Sequence, residues 1–296
     1  MIPSYGWQRP ALASTSTLLA ATVLAACANT PAALTQSLEA RRIASELHVE
    51  FTKASEASGR TVMADTDEQA AAAAHEARRA RQLVERDLDA LQSILDSAGY
   101  HDDLRYLAGF KLRLDEYQRL DDEILALAVE NTNLKAQRMA FGAGREAADA
   151  LRMALDALRT RTSRDVTRVD TLTDRVRIGV LEIQVLQARH IPESEDAEMT
   201  RIENEMTASA EAARRALAEI RANVPSHAGS AVSAAATALE QFLTVNSEIV
   251  KLSRRNSDVR SVALSLGRKR AVTAECEDQL QALEQSLAKH DFAATR

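Results

Sequence analysis

The chain has 296 residues, 37 of them basic and 43 acidic, giving a net charge of −6 with the two signs interspersed. It lacks the clustered basic face of a nucleic-acid-binding protein, and its two cysteines are too few for a disulfide framework. Aromatic residues make up only 3% while Ala, Leu, Glu and Arg abound, a composition of long helices and coiled coils rather than of sheets.

The first segment is a short leader whose basic side chain is Arg9 and which carries no acid. An apolar run follows from near Ala11 and closes on Leu24-Ala25-Ala26-Cys27. Leader, apolar run and small-residue exit predict a secretory signal over 1–26, removed in the mature protein. The Leu-Ala-Ala-Cys stretch resembles the lipobox of bacterial lipoproteins. That resemblance implies that Cys27 becomes the lipidated first residue, with 27–34 as a tether, a membrane partner engaged through the lipid, and a periplasmic place in the cell envelope. Ala28, rather than aspartate, after the cysteine implies the outer membrane if the cell is Gram-negative. Ala26-Cys27-Ala28 also fits a small-x-small cleavage site, which would give simple secretion. Ala11–Ala26 is shorter than the ~20 apolar residues of a membrane span, and Ser14 to Thr17 dilute it.

The rest, 35–292, predicts an all-α, elongated up-down-up-down bundle. Beyond Pro31 the prolines are Pro192 and Pro225, so helix breakers are few and helices long. Turn signals divide it into four legs of about 60 residues, or roughly 90 Å each as helix. Leg 1 runs from about Ala32 to Ser97, with Gly99 as a left-handed cap. Leg 2 runs from about Asp102 to Leu158, before a polar turn at Thr160–Asp165 with Ser163 as candidate cap. Leg 3 ends near Ala222, before Asn223-Val224-Pro225-Ser226, and leg 4 ends near His290. Legs 1 and 3 break partway, at Asp65-Thr66-Asp67, where Thr66 and Gln69 form a capping box, and at Ile191-Pro192-Glu193, where Ser194 can restart the helix. Legs 2 and 4 are expected to run unbroken. The result is two stacked four-helix modules built from six helical segments.

A seam of alternating three- and four-residue steps carries Leu107, Phe110, Leu114, Tyr117, Ile124, Leu127, Asn131, Leu134, Arg138, Phe141, Arg145 and Leu155 on leg 2. On leg 4 it carries Leu239, Phe242, Ile249, Leu252, Asn256, Val259, Ala263, Leu266, Arg270 and Leu280. Shifting the chain so that Leu114 falls on Leu239 also aligns Glu123 with Glu248, Asn131 with Asn256, Gly142 with Gly267 and Arg145 with Arg270. A shared heptad explains the apolar matches but not the Asn, Gly and Arg ones, so 35–160 and 161–290 read as an internal repeat.

This order of segments, short-short-long twice, resembles the helical bimodular sensor domain of methyl-accepting chemotaxis proteins, a relative of their four-helix-bundle ligand domain. The stretch that carries the resemblance is Leu127-Ala128-Val129-Glu130-Asn131-Thr132-Asn133-Leu134-Lys135-Ala136, with Phe110 to Ile124 leading in. The resemblance implies binding of a small organic acid and signalling through a partner protein. The sequence departs from that family in showing no second membrane helix and no methylated cytoplasmic hairpin.

Two constellations are candidate sites. At the break level stand Thr66, Asn131, Asn133 and Asn256, with Asp65, Asp67 and Asp258. These either satisfy backbone groups freed by the broken legs or line a ligand pocket. Lower down, Arg138, Arg145 and Arg270 lie on seam positions near Gly59, Gly142, Gly144, Gly179 and Gly267. Arginine donors beside glycine-made space could hold a carboxylate bidentately, with Ser55 to orient it. The competing reading has arginine stems covering apolar surface, their heads in water or on Glu146 and Glu277. A basic turn at Arg152, Arg159, Arg161, Arg164 and Arg168 could touch anionic headgroups, or be an ordinary solvated turn.

The sequence predicts no enzyme, no cofactor and no metal site. Its six histidines are scattered without metal-ligand spacing, and no glycine-rich phosphate loop follows a strand. Two functions are expected: a lipid-anchored sensor-like module for a small anion or a partner protein, or a structural spacer with no small ligand. Cys27→Ser should move the protein from the membrane to the soluble envelope fraction. A variant that stays membrane-bound and resists salt extraction would show the anchor to be elsewhere.

Overall fold

In a computed structural model of the chain, residues 17–162 and 166–294 are described, with side chains described for 34–162 and 167–290. Residues 1–16 of the expected signal over 1–26, the side chain of Cys27, Ser163 and Arg164 lie outside these. The fold is all-α, without a strand among the described residues. The helices are α1 (Thr17–Val62), α2 (Asp67–Ala98), α3 (His101–Glu130), α4 (Thr132–Met139), α5 (Arg145–Arg161), α6 (Val166–His190), α7 (Asp196–Asn223), α8 (Gly229–Arg255), α9 (Ser257–Leu264) and α10 (Arg270–Ala294). Short π-helical segments, Ala140–Gly144 and Ser265–Lys269, join α4 to α5 and α9 to α10.

Local chemistry places the boundaries. Gln69 N–H donates to Thr66 Oγ1 at 3.1 Å to start α2, while Gln69 Oε1 accepts from Asp65 N–H rather than from that of Thr66. Asp67 and Glu68 follow in the first turn, where the helix dipole favours acids. At the other end Gly99 adopts φ +70°, Tyr100 N–H donates to Leu95 O and Gly99 N–H to Asp96 O, the two bonds of a Schellman stop. Pro192 follows the end of α6. Ser194 does not cap α7. Glu195 precedes the helix with no side-chain cap, and Glu193 Oε1 accepts the N–H groups of Ser194 and Glu195.

The chain divides into two compact units. The first takes residues 1–53, 79–114 and 274–296. Its core includes Leu47, Phe51, Leu91, Leu95, Phe110, Leu283 and Leu287, all fully buried. Phe51 and Phe110 meet edge to face with centroids 5.6 Å apart, within the favourable range for aromatic pairs. Asp103, fully buried, accepts from His290 Nε2 at 2.7 Å, and the His290 ring stacks on Tyr100.

The second unit takes residues 54–78 and 115–273, and both helix breaks, 62–67 and 190–196, fall inside it. Here α5 packs against α8 and α6 against α7. Their inward stripes form one core with Leu155, Leu158, Val176, Ile183, Ile202, Ile220 and Phe242; burying a side chain of this size contributes about 1.5–3 kcal/mol. A Cβ on Gly179 would lie 2.9 Å from the Ser209 carbonyl oxygen, so glycine is what lets α6 and α7 approach there. Ala57, Ala74, Ala77 and Leu125 form a further cluster.

Legs 2 and 4 are not unbroken. Asn131 (φ 53°, ψ 43°) separates α3 from α4, and Asn256 (φ 52°, ψ 36°) separates α8 from α9. Both are left-handed, a conformation that asparagine tolerates better than most side chains. Each π segment then adds a residue to its turn. Together these shift the phase of the turns next to them, so several seam positions expected inside turn out there, while Leu155 and Leu280 further along are buried as expected. Phe141 and Leu266 are each 68% exposed, and Arg138, Arg145 and Arg270 face solvent. Gly144 and Lys269 take the inward places. The buried cation is therefore Lys269 rather than Arg270, and its hydroxyl partner is Ser58 rather than the half-buried Ser55. Lys269 Nζ lies 2.7 Å from Asp121 Oδ1, donates to Ser58 Oγ, and sits 5.0 Å from the Tyr117 ring centroid.

Removing one member of a buried ion pair strands the other charge. Lys269→Met alone should cost about 3–5 kcal/mol in urea unfolding, and Lys269→Met with Asp121→Leu should recover most of that loss. Equal losses in the single and double variants would show that the pair is not the main term.

Candidate functional site

Breaking α3–α4 and α8–α9 at one level leaves the first N–H groups of α4 and α9 without intrahelical partners. Two turns 125 residues apart satisfy each other. Thr132 N–H donates to Ser257 Oγ at 3.0 Å and Ser257 N–H to Thr132 Oγ1 at 3.1 Å. Thr132 Oγ1–H in turn donates to Ser257 Oγ, and Ser257 Oγ–H to Asp258 Oδ1. One residue further, Asp258 N–H donates to Asn133 Oδ1 and Leu134 N–H to Asp258 Oδ2, both at 3.2 Å. The expected repeat pairs Asn131 with Asn256, and these bonds put the residues that follow them in direct exchange.

The same side chains hold the broken legs. Asn133 Nδ2 donates to Ile191 O at 2.6 Å and to Asn256 Oδ1 at 2.8 Å, and Asn256 Nδ2 donates to Glu193 O at 2.7 Å. Ile191 O and Glu193 O are backbone acceptors just past the end of α6. Asn131 instead donates to the Asp67 carboxylate at 3.0 Å. Glu130 pairs with Arg255, whose hydrogen bonds hold the Glu130 carboxyl below the usual carboxylate range. Beside them His190, 1% exposed, donates from Nε2 to Glu203 at 2.9 Å, and its Nδ1 lies 2.7 Å from the buried Ser253 hydroxyl. Burial pushes the Glu203 carboxyl up, but the hydrogen bonds from Arg254 and His190 outweigh it and leave it lowered.

Against these turns, within the second unit, opens a cleft of about 720 Å³. Leu134, Phe141, Ile191, Pro192 and Val259 form apolar wall, and Asn131, Asn133, Gln137, Gln184 and Gln187 bring side-chain amides to it. Asp65, Asp258 and Arg145 are its charged residues. Asn133 and Asp258 are committed to the turns, and Gln187 donates to Asn246. Arg145, Gln137 and Gln184 make no side-chain hydrogen bond or ion pair among the described residues.

The sequence-predicted residues are thus partly brought together. Asn131, Asn133 and Arg145 share the cleft, and Arg138 lies next to it, donating to Asp65 O at 3.0 Å. Asn256 acts from behind through Asn133, and Thr66 through the start of α2. Arg270 and Ser55 do not line the cleft. The glycines do not make its space. A Cβ on Gly59, Gly142 or Gly267 would meet nothing within 4 Å. Sequence reasoning missed Gln137, Gln184 and Gln187. Their only signal was polar residues on helix faces, and which face meets the cleft depends on the break at Asn131 for Gln137 and on how α6 lies against α5 for Gln184 and Gln187. The basic turn is charge-compensated, with Arg152 on Asp149, Arg159 on Asp170 and Arg168 on Glu219. Among the described residues no group of His, Cys, Asp or Glu side chains is placed to hold a metal ion. No family model matches the sequence, and no curated protein matches it.

Thr132→Ala and Ser257→Ala should each cost about 1 kcal/mol, the usual cost of a lost cap. The double variant should lose clearly less than the sum, because both singles break the same exchange. Additivity to within about 0.3 kcal/mol in urea unfolding would show the turns to be independent.

Proposed function

We propose that the protein is a lipid-anchored envelope protein that binds a small organic acid in the cleft beside Asn131 and Asn133. One observation carries this reading: a largely apolar cleft into which a few polar groups converge, with Arg145 free of any partner among the described residues. That combination of apolar walls and sparse, placed polar groups is the common form of a small-molecule site. A guanidinium offers a carboxylate two parallel hydrogen bonds, and Gln137 and Gln184 have donors to spare beside it. The envelope address rests on the lipobox at Cys27. It is compatible with the finding that, among the described residues, no helix is long and apolar enough to cross a membrane. A receptor of this kind would pass its state to a partner protein, as the likeness to chemoreceptor sensor domains implies.

A second reading, a spacer with no small ligand, has its own support. The turn network at Thr132, Asn133, Ser257 and Asp258 is satisfied by the protein alone and needs no ligand to complete it. The two readings part on one measurement. A panel of organic acids should contain members that raise the melting temperature, since a ligand at a hundred times its Kd adds about 2.7 kcal/mol to the native state. Arg145→Ala should weaken binding about 10- to 100-fold, as loss of a charged hydrogen bond does, and leave the ligand-free melting temperature unchanged. If no acid shifts the wild type, the spacer reading stands.

A further inference from the structure

A second cavity of about 220 Å³ adjoins the cleft and shares Arg145 and Gln184 with it. Its walls between α5 and α6 are made by Leu151, Leu155, Val180 and Leu181. Leu151 and Leu155 are buried, whereas Leu181 is 59% exposed for want of anything packed over it. Its other arginines are already engaged, Arg152 with Asp149 and Arg177 with Asp156 and Asp174. Arg145 is the one left without a partner among the described residues, and it stands where two apolar compartments meet. Helix α5 rises ~15 Å between Arg145 and Leu155, so the lining of the second cavity extends along α5 away from the cleft.

We infer that the ligand is an amphiphilic monocarboxylate, its carboxylate on Arg145 and its hydrocarbon chain lying along the α5–α6 groove toward Leu155. This rests on the reading of the cleft as a ligand site and specifies what fills it. A compact di- or tricarboxylate would bring two or more negative charges to a site with a single unpaired arginine, next to Asp65 and Asp258. It would also leave the leucine-lined groove in water. A single carboxylate matches the single free cation, and a chain covers the apolar walls, each buried methylene improving transfer from water by about 0.8 kcal/mol.

The test uses the mature protein and straight-chain acids from butanoate to dodecanoate below their aggregation concentrations, with succinate and citrate as compact acids, read by calorimetry. Affinity should rise about fourfold per added methylene, the ratio that ~0.8 kcal/mol corresponds to, until the groove is filled. Ala148→Trp, which fills the groove beside Arg145, should flatten this series while butanoate binds as before. Should Ala148→Trp fail to fold, the wild-type series still decides. If short or compact acids bind and longer chains bind no more tightly, the chain inference is overturned and the cleft reading survives. If no acid of either kind binds, the cleft reading falls and takes the inference with it.

Discussion

The exchange of hydroxyls between Thr132 and Ser257 is the interaction on which the second unit turns. A helix interrupted in the interior leaves N–H groups that water cannot reach, and each one unmet costs about 1–3 kcal/mol. Interrupting two helices at one level doubles that cost, yet lets each turn supply the acceptors the other lacks. Thr132 and Ser257 take the first N–H groups, and Asn133 and Asp258 take the next. Neither turn is complete without the other. The left-handed asparagines 131 and 256, strained in isolation, are held by this mutual satisfaction. Through Asn133 and Asn256 the same turns grip the chain at Ile191 and Glu193. Three separate stretches of sequence are thereby fixed around one cleft.

The π segments decide what those stretches present. Lys269 and Gly144 occupy corresponding places in the repeat, each the last residue of its π segment and each buried. In the later copy the place holds a cation matched by Asp121 and Ser58. In the earlier copy it holds no side chain. A Cβ on Gly144 would come within 3.3 Å of the Met139 carbonyl oxygen and 3.5 Å of Ile249. The next residue, Arg145, lines the cleft, whereas Arg270 does not. Positions 125 residues apart thus differ in what they present, a buried Lys269 with Asp121 in one case and a buried Gly144 followed by the exposed Arg145 in the other.

Much of the fold was legible in local chemistry. A chain rich in Ala, Leu, Glu and Arg and poor in aromatics and prolines has few alternatives to long helices. Gly99, Thr66 with Gln69, and Pro192 each act on the backbone within a few residues, so their effects are readable without knowing what packs nearby. The matching positions of Asn131 and Asn256 were visible in the sequence, and both are left-handed breaks in the structure.

The facing of Arg145 and Arg270 was not legible. A heptad count assumes constant phase, and a left-handed residue followed by a π turn resets that phase without any mark in the apolar pattern. Whether Lys269 or Arg270 goes inside is settled by Asp121 and by Ser58, the latter 211 residues away. Likewise, nothing local to Gln184 says that it faces Arg145, since that depends on where α6 lies against α5. The sequence by itself determined the helical class and the breaks near Asp65-Thr66-Asp67, Gly99 and Pro192, because these arise from interactions a few residues long. Only the tertiary structure decided which polar side chains are buried and which are left free, because that depends on charges and acceptors brought together across more than a hundred residues.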